Sequence, residues 1–359
     1  MAKKAFITGI LGQDGSYLSA LLLRRGYKIY GSELPGASAW RHAELGIAGK
    51  ARIYTGLKGF ESLRELFGRI KPDEVYNLGS QSSVRNSFAR PLEAVESDAV
   101  GTARLLEAIR RATPRSLFFQ ATSGLIFSGP GPDGKGRGGL MPQSPYACAK
   151  LYSHWLTLNY REFYGIFAVS GILYNHESPL RGENFVTRKI AMAVAGIKKG
   201  AKKPLQVGNI NVRRDWGYAA EYAEGMRLAL AANKPGDYVF ATGKTHSVRE
   251  FIEAAFRAAG MRVLWKGEGL DEKGVDAENG GTLVEISPKY FRPHENKVLE
   301  GDPSKTWKAI GWRPKTDFEA LASMMVKADS AVLKRNRSAK DVEICIRNQK
   351  NAGFVNRII

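Results

Sequence analysis

A chain of 359 residues with 43% apolar content is long enough to bury a sizeable core and too apolar to remain disordered. Two cysteines, Cys148 and Cys345, are too few for a disulfide framework and lack metal-ligand spacing with the five histidines, so we expect reduced thiols and no metal site. The net charge of +19, from 54 Lys and Arg against 35 Asp and Glu, favours an anionic small ligand over nucleic acid, because the basic residues are spread along the chain.

The chain opens on a short apolar run, residues 5–8, with no signal-peptide region before it and no stretch of 18 apolar residues elsewhere. We therefore expect a soluble, cytoplasmic protein with no membrane partner. A glycine-rich turn and a helical apolar pattern over residues 17–23 follow. A strand, a glycine turn and a helix at this spacing let backbone amides approach a pyrophosphate at the helix N-terminus. The turn predicts a dinucleotide site formed by Gly9, Gly12, Gln13, Asp14 and Gly15.

The second predicted strand, residues 28–32, ends at Glu33, which lies 24 residues after Gly9. A carboxylate at this place accepts hydrogen bonds from an adenosine ribose and repels a 2′-phosphate, which favours NAD over NADP. Arg41 and His42 lie farther along and are candidate partners for a 2′-phosphate. Both cofactors therefore stay open at this point.

Alternating strands and helices continue to about residue 121 and predict a parallel sheet that helices cover on both faces, a Rossmann-type doubly wound α/β fold. The predicted strands are 51–55, 74–78 and 116–121, and the predicted helices are 61–70 and 91–112. Ligands bind at the carboxyl ends of such strands. By this assignment Gly9, Glu33, Gly79 and Thr122 fall at that edge.

A predicted helix over residues 146–164, followed by a strand over 167–173, carries the residues most typical of catalysis. Tyr146 and Lys150 are four residues apart and so share one helix face, where the ammonium lowers the pKa of the phenol and the phenolate takes a proton. The hydroxyls of Thr122 and Ser123 end the preceding strand. This constellation indicates redox chemistry with a hydride acceptor.

Beyond Asn175 the elements become shorter and indicate a smaller, discontinuous domain. We predict helices at 185–197, 218–232 and 304–310, a strand at 205–207, and a capping box at 247–250 that opens a helix to about residue 259. Asp302 and Pro303 look like the N-cap and first position of the helix at 304–310. Residues 271–281 look like a polar, Gly-rich loop. The predicted domains are 1–175 with about 208–245 returning to it, 176–335, and a tail over 336–359.

In six segments the chain resembles the extended short-chain dehydrogenase/reductases and, within them, the GDP-mannose 4,6-dehydratase family. The similarity spans about residues 3–330. Its most specific segments are residues 8–17, 76–82, 175–179, 184–189, 214–217 and 290–293. The resemblance implies a homodimer or homotetramer that acts on GDP-mannose or a related GDP-hexose with NAD or NADP.

Residue roles follow from the same resemblance. It implies that the nucleotide diphosphate is held by Asn184, Lys189, Arg214, Arg292 and Glu295, with the cations on phosphate and Glu295 on ribose. Arginine forks suit phosphate oxygens, which agrees with this assignment. Further substrate contacts are assigned to Ser82, Asn175 and Glu177, and further cofactor contacts to Leu78, Gly79, Ser80, Tyr146, Lys150 and Leu173.

The implied reaction begins when the Tyr146 phenolate takes the C4 hydroxyl proton while the C4 hydride moves to the nicotinamide. Lys150 tunes the phenol, and Thr122 or Ser123 orients the sugar. A glutamate that the family places directly after this hydroxyl pair moves the C5 proton during loss of water, and Gly124 stands there in this chain. The elimination step is therefore in question.

Three readings stay open. A GDP-sugar 4-reductase, 4-oxidase or epimerase needs Tyr146 and Lys150 but no carboxylate. A true dehydratase requires that Glu177 or a water network reach C5. A catalytically silent sugar-nucleotide-binding partner would retain the diphosphate site beside an altered cofactor site, in which Leu34 and Pro35 replace the arginine pair that the family presents to a 2′-phosphate.

Overall fold

The computed structural model describes residues 1–57, 59–127, 139–290 and 298–335, which form two compact units. The first unit contains Met1–Leu180, Asn211–Ser247 and the described residues of 293–318, and the second contains Arg181–Ile210 and the described residues of 248–292 and 319–359. The predicted tail, Arg292 and Glu295 lie outside the described residues. None of the described helices is long and apolar enough to cross a membrane.

The strands of the described residues are β1 Lys4–Thr8, β2 Lys28–Glu33, β3 Ala51–Thr55, β4 Glu74–Asn77, β5 Leu117–Ser123, β6 Ala168–Leu173, β7 Asn175–Glu177, β8 Leu205–Val207, β9 Arg213–Tyr218, β10 Asp237–Phe240, β11 Thr245–Ser247, β12 Val263–Lys266, β13 Lys273–Asp276, β14 Thr282–Ile286 and β15 Val298–Leu299. The α-helices are α1 Gln13–Arg24, α2 Trp40–Glu44, α3 Phe60–Ile70, α4 Val84–Ala89, α5 Pro91–Ala94, α6 Gly101–Ala112, α7 Pro145–Tyr164, α8 Val186–Lys198, α9 Ala219–Leu230, α10 Val248–Ala258, α11 Ser304–Ile310 and α12 Phe318–Arg335.

The first unit is built on a seven-stranded parallel sheet in the order β10-β6-β5-β4-β1-β2-β3. The chain runs outward from β1 to β3 on one side and from β4 to β10 on the other. The strand order therefore reverses between β1 and β4, and the carboxyl ends of all seven strands lie at one edge of the sheet. This confirms the predicted Rossmann-type fold.

Alternating side chains of β1 fill the cores on the two faces of this sheet. Ile7 packs in one core with Leu18 of α1 and Met226 of α9, and Phe6 packs in the other with Phe67 of α3. The rings of Phe6 and Phe67 meet edge to face at 5.1 Å. Burying each such side chain stabilises the fold by about 1.5–3 kcal/mol, so helices are required on both faces.

A π-helical stretch, Val95–Val100, interrupts the predicted helix 91–112. The backbone carbonyl of Asp98 accepts hydrogen bonds from the hydroxyls of Thr102 (2.6 Å) and Ser153 (2.7 Å). These two side chains stabilise a wider turn than the regular α-helical ladder allows. The prediction of one continuous α-helix was wrong here, because the Ser153 contact joins residues far apart in sequence.

A second, small sheet in the first unit has the order β11-β9-β15, with β7 also paired to β9. Residues 298–318 belong with it, since β15 pairs with β9 and Trp312 packs with Tyr222 in the core. The sequence analysis had placed these residues in the second domain. At α11 the N-cap is Pro303, while Asp302 Oδ1 accepts the Ser304 N–H, so the predicted positions were shifted by one residue.

The second unit contains a four-stranded sheet in the order β12-β13-β14-β8 together with α8 and α10. Part of the segment predicted as a loop, 271–281, forms β13. A Cβ at Gly274 would lie 2.8 Å from Val263 and 3.0 Å from Val284, so this glycine lets the flanking strands approach. The loop prediction was wrong because glycine was taken to indicate a turn.

Candidate functional site

The glycine turn between β1 and α1 is packed so closely that side chains do not fit. Gly9 has φ +63°, and a Cβ there would lie 2.8 Å from the Cα of Gly79. A Cβ at Gly15 would lie 2.4 Å from the Gly9 carbonyl oxygen. The turn, Gly12 included, therefore presents bare backbone at the N-terminus of α1, which is the arrangement that suits a pyrophosphate.

Replacing Gly15 with alanine is expected to weaken dinucleotide binding by about tenfold or more, because the new methyl group pushes the start of α1 away from Gly9. Calorimetric titration with NAD and NADP measures the change. Gly68→Ala in α3 is the matched control, since a Cβ there meets no atom within 4 Å. Equal affinity in the two variants would contradict a cofactor site at this turn.

The side chains of Gln13 and Asp14 bind a segment of the chain that the sequence analysis did not connect with them. Gln13 Nε2 donates to the His176 carbonyl at 3.1 Å, and Gln13 Oε1 accepts from the Ser178 hydroxyl at 2.8 Å. Asp14 Oδ2 lies 2.8 Å from His176 Nε2. These contacts fix the start of α1 against the residues that follow β7.

Glu33 ends β2 as predicted, and its carboxylate accepts hydrogen bonds from the backbone of the glycine turn and of the next residue. Oε2 accepts the Leu11 N–H and Oε1 accepts the Leu34 N–H, both at 3.0 Å. This puts a negative group at the place where a 2′-phosphate would lie if the pyrophosphate occupies the glycine turn.

The suggestion that Arg41 and His42 bind a 2′-phosphate is not supported by the structure. Arg41 donates to the backbone carbonyls of Leu180 (2.8 Å) and Leu11 (3.1 Å). His42 is buried, with Nε2 3.0 Å from the Ile10 carbonyl, and burial lowers its pKa. A buried neutral imidazole does not offer a positive charge to a phosphate. The position of His42 in the sequence, shortly after Glu33, did not reveal this burial.

Tyr146 and Lys150 lie on the first turns of α7, whose N-cap Ser144 accepts the Ala147 N–H at 3.1 Å. The Lys150 ammonium is 5.7 Å from the centroid of the Tyr146 ring, and both residues are buried. Lys150 Nζ donates to the Ala121 carbonyl at 2.9 Å and lies 2.9 Å from Asp98 Oδ1. The predicted helix-face pair is therefore brought together, next to the end of β5.

The charge of Lys150 is maintained although the residue is fully buried. Burial alone lowers its pKa, but the charges of Asp98, Tyr146 and Asp14 raise it more, so that the net pKa is raised. The ammonium consequently remains protonated at neutral pH and favours the phenolate form of Tyr146. Asp98 was not predicted as a site residue. It lies near Lys150 of α7 because the π-helical stretch Val95–Val100 replaces the regular α-helix that was predicted there.

Thr122 and Ser123 point to opposite faces of β5. The Thr122 hydroxyl is buried and lies 2.9 Å from the Ser170 hydroxyl, which in turn lies 2.8 Å from His154 Nδ1. Ser123 Oγ accepts the Leu125 N–H at the very end of the strand. Between the two predicted hydroxyls, the position of Ser123 is the better one for meeting a ligand.

The remaining predicted cofactor residues also lie at strand ends. The N–H groups of Leu78 and Gly79 donate to Thr8 Oγ1 at 3.0 and 2.8 Å, which holds the loop after β4 against β1. Leu173 is the partner of Ser123 in the β5–β6 register. Ser80 follows in the same loop as Gly79, and Ser82 is exposed two residues farther on.

The predicted substrate residues are divided between the two units. In the first unit β7 and β9 pair so that Asn175 faces Trp216 and the buried Glu177 faces Tyr218, while Arg214 is half-buried on β9. In the second unit Asn184 is exposed and Lys189 is half-buried.

Tyr290, which the sequence analysis did not select, holds Lys189 within the second unit. The ammonium lies 3.3 Å from the centroid of the tyrosine ring. Burial lowers the pKa of Lys189, and the nearby ammonium lowers the pKa of Tyr290. This cation–π contact fixes the ammonium of Lys189 on the face of the Tyr290 ring.

Gly124 begins the short 3₁₀ turn Gly124–Phe127 that follows Ser123. A Cβ on Gly124 would lie 2.8–2.9 Å from three atoms of the Tyr174 ring, so the ring occupies the space that a side chain would need. Burial raises the pKa of Tyr174 to about 12, with added effects from Asp215 and Glu300, which keeps this phenol neutral. Residues 117–127 contain no carboxylate.

Comparisons with known proteins place these features in context. Residues 6–325 match the family model for GDP-mannose 4,6 dehydratase. The chain is 43% identical to the GDP-mannose 4,6 dehydratase of Drosophila melanogaster over 351 residues (93% of this chain, 88% of that one). It is also 43% identical to the GDP-mannose 4,6-dehydratase of Sinorhizobium fredii over 352 residues (93% and 99%). A solved structure of Thermus thermophilus UDP-glucose 4-epimerase in complex with NAD aligns with a TM-score of 0.73 and 26% identity, covering 91% and 98% of the two chains.

Proposed function

Because the chain belongs to the GDP-mannose 4,6-dehydratase family, we propose that it binds a GDP-hexose such as GDP-mannose and exchanges hydride between C4 of the sugar and NAD or NADP. The observation that carries this proposal is the buried pair of Tyr146 and Lys150 beside the hydroxyl end of β5. A fixed ammonium neighbour favours the phenolate form of the tyrosine, which is suited to take the C4 hydroxyl proton.

A nicotinamide cofactor fits the residues of the first unit. The glycine turn carries no side chains that would keep a pyrophosphate away from the backbone N–H groups. When bound, it supplies the hydride acceptor. Gly9, Gly12 and Gly15 would face the pyrophosphate, and Glu33 the adenosine ribose. The Glu33 carboxylate, together with the neutral His42, supports NAD in preference to NADP.

In this reaction the chain's own groups bind the sugar and move one proton. The Tyr146 phenolate, which the Lys150 ammonium favours, takes the C4 hydroxyl proton and becomes a neutral phenol, and Ser123 orients the hydroxyl. The proposed phosphate-binding cations are Arg214 in the first unit and Lys189 and Arg292 in the second unit. Asn184 and Glu295 complete the nucleotide contacts, and Ser82, Asn175 and Glu177 the sugar contacts.

The second part of the proposal is that the reaction stops without loss of water. Gly124 carries no carboxylate, and the Tyr174 ring fills the adjacent space. A phenol with a pKa of about 12 is a poor base at neutral pH and does not replace a carboxylate in removing the C5 proton. Oxidation, reduction or epimerisation at C4 needs no such group.

The test is to incubate the purified protein with GDP-mannose and NAD or NADP and to determine the product mass. An unchanged mass, or one shifted by two hydrogens, is the expected result, and loss of one water would establish a dehydratase instead. Binding of GDP-mannose in a calorimeter without turnover under either cofactor would favour a silent sugar-nucleotide binder.

We also propose that the protein forms a homodimer through an apolar face of α4, α5 and α7. This face consists of the exposed side chains of Phe88, Leu92, Tyr152, Trp155 and Phe163. The three residues of α7 share one helix face, and α4 and α5 pack against that helix. Two copies of one such face are self-complementary in a twofold dimer.

Replacing Trp155 with glutamate is expected to raise the dimer dissociation constant by about 100-fold, since a central aromatic residue is lost and a charge is buried. Sedimentation velocity at several concentrations measures the change. Leu264→Glu is the control, because Leu264 is exposed to a similar degree in the second unit. A wild-type protein that is monomeric at high concentration would reject the proposed interface.

A further inference from the structure

Strand β12 lies at one edge of the sheet in the second unit. The order β12-β13-β14-β8 leaves β12 paired with β13 on one side and with no strand of the described residues on the other. The carbonyl of Arg262, just before β12, accepts the Ala277 N–H at 2.9 Å on the β13 side. Because backbone groups alternate in direction along a strand, those of Val263 and Trp265 point to the open side. Such an edge can pair with a further strand.

The tail of the chain, which lies outside the described residues, contains a segment with the sequence pattern of a strand. Residues 341–347 read Asp-Val-Glu-Ile-Cys-Ile-Arg, so that β-branched apolar residues occupy every second position. This alternation predicts a strand with one apolar face. A strand of this kind is stable only when another element covers that face.

The end of β12 that carries Lys266 lies alongside the first turns of α10. Trp265 Nε1 donates to Glu253 Oε1 at 2.8 Å, and the Arg249 guanidinium lies 4.5 Å from the centroid of the Trp265 ring. Arg249 and Glu253 belong to the first half of α10, and β12 follows this helix in the chain. The strand therefore runs back along α10 in the opposite direction.

Helix α8 packs against α10 and points the same way. The carboxyl ends of the two helices lie together, because a Cβ on Gly260, just after α10, would lie 3.8 Å from Nζ of Lys198, the last residue of α8. The start of α8 therefore lies at the same end of the second unit as the start of α10 and the Lys266 end of β12.

Helix α12 runs in the opposite direction to α8 and α10. Glu319, near its start, pairs with Arg257 at the end of α10, and Asp329, farther along, pairs with Arg188 near the start of α8, both at 2.7 Å. The tail that follows Arg335 thus begins where β12 ends. Residues 336–340 span up to about 17 Å when extended, more than the 8–10 Å between the axes of packed helices, so residues 341–347 come within reach of the open edge.

A strand that enters at the Lys266 end and runs toward Val263 is antiparallel to β12, and one register suits both of its faces. The pairs in this register are Asp341 with Lys266, Val342 with Trp265, and Ile344 with Val263. The apolar pairs then cover the half-buried side chains on the α10 face, and the acidic residue meets the exposed ammonium on the other. A slip by one residue would turn the apolar face to solvent.

We propose that residues 341–347 of the tail add to β12 of the same chain as a fifth, antiparallel strand of this sheet. The open edge recognises the tail by backbone hydrogen bonds, by apolar contacts on one face and by charge on the other. Occupation of the edge by the chain itself also keeps it from pairing with another copy of the protein.

A cysteine cross-link tests this pairing and its register. The register places Cys345 opposite Arg262 in a non-hydrogen-bonded pair, where Cα atoms lie about 4.5 Å apart, within the range of a disulfide. In a Cys148→Ser background, Arg262→Cys leaves Cys345 as the one native thiol. With oxidised glutathione, we expect a disulfide between positions 262 and 345 within one chain, which mass spectrometry of unreduced peptide fragments identifies.

The matched control is Lys266→Cys in the same background. Lys266 is exposed like Arg262 and lies on the same face of the strand, but about 13 Å farther along it. Its cross-link with Cys345 is expected to form at least about tenfold more slowly, because the paired register keeps the two sulfurs apart. Equal rates would overturn the proposal. A disulfide between two chains would assign the edge to the tail of a second copy and would overturn it as well.

Hydrogen exchange on the unmodified chain keeps the inference testable if the cysteine variants do not fold. The backbone N–H groups of residues 342–346 are expected to exchange at least about 100-fold more slowly than those of a free peptide of residues 336–359. Ile344→Lys is expected to remove this protection and to speed exchange in β12, whereas Glu343→Gln, on the solvent face, is expected to keep it. Exchange of the wild-type tail at the rate of the free peptide would overturn the proposal.

Discussion

Tyr146→Phe is expected to lower the rate of hydride exchange by about 10²- to 10⁴-fold while the protein stays folded. The substitution removes only the phenolic oxygen from a buried ring at the start of α7. Without that oxygen the base beside the Lys150 ammonium is lost and the C4 hydroxyl proton is not removed. Hydride transfer from C4 to the nicotinamide is therefore disfavoured. The absorbance of the reduced nicotinamide, followed with GDP-mannose and excess NAD or NADP, measures the rate.

The matched control for this substitution is Tyr152→Phe. Tyr152 lies on the same helix but is about half exposed. The control is expected to keep wild-type turnover, and both variants are expected to bind GDP-mannose in the calorimeter as the wild type does. Turnover of Tyr146→Phe at the wild-type rate would remove Tyr146 from the reaction and would also remove the basis of the proposed function.

Six of the seven strands of the parallel sheet were predictable from local sequence pattern, whereas β10 was not predicted. The glycine turn and the helix pair Tyr146 and Lys150 were equally accessible, since their geometry depends on residues at most six apart in sequence. The short strands β7, β11 and β15 were not, because they exist only through pairing with β9. Local pattern does not report such pairing.

The neighbours that give the site its character come from distant parts of the chain. Asp98 reaches Lys150 over 52 residues and only through a π-helical turn. Tyr174 covers Gly124 because β5 and β6 are adjacent in the sheet. His42 looked like a candidate phosphate ligand until its burial was known. A residue type indicates what chemistry is available, whereas the packing decides which side chains are free to do it.

The absence of a carboxylate in the residues directly after Ser123 determines which product we expect. The wild type is expected to retain the C6 oxygen of the sugar. Gly124→Glu is not expected to change this, because its Cβ would overlap the Tyr174 ring and the turn must distort before a carboxylate is presented. Position 125 already carries a side chain, which is half-buried against a cluster containing Ile172, Tyr174 and Leu299 at the carboxyl end of the sheet.

Leu125→Glu is therefore the substitution expected to introduce loss of water, with the elimination product formed about 10²- to 10⁴-fold faster than in the wild type. The introduced carboxylate is expected to reach C5 and to supply the missing proton transfer, and the mass of the product measures it. Leu125→Gln has the same size without the charge and is expected to leave the product unchanged. Release of water by the wild type would contradict the proposed reaction without elimination. Glu177 would then be the candidate carboxylate, and Glu177→Gln would be expected to lose that activity.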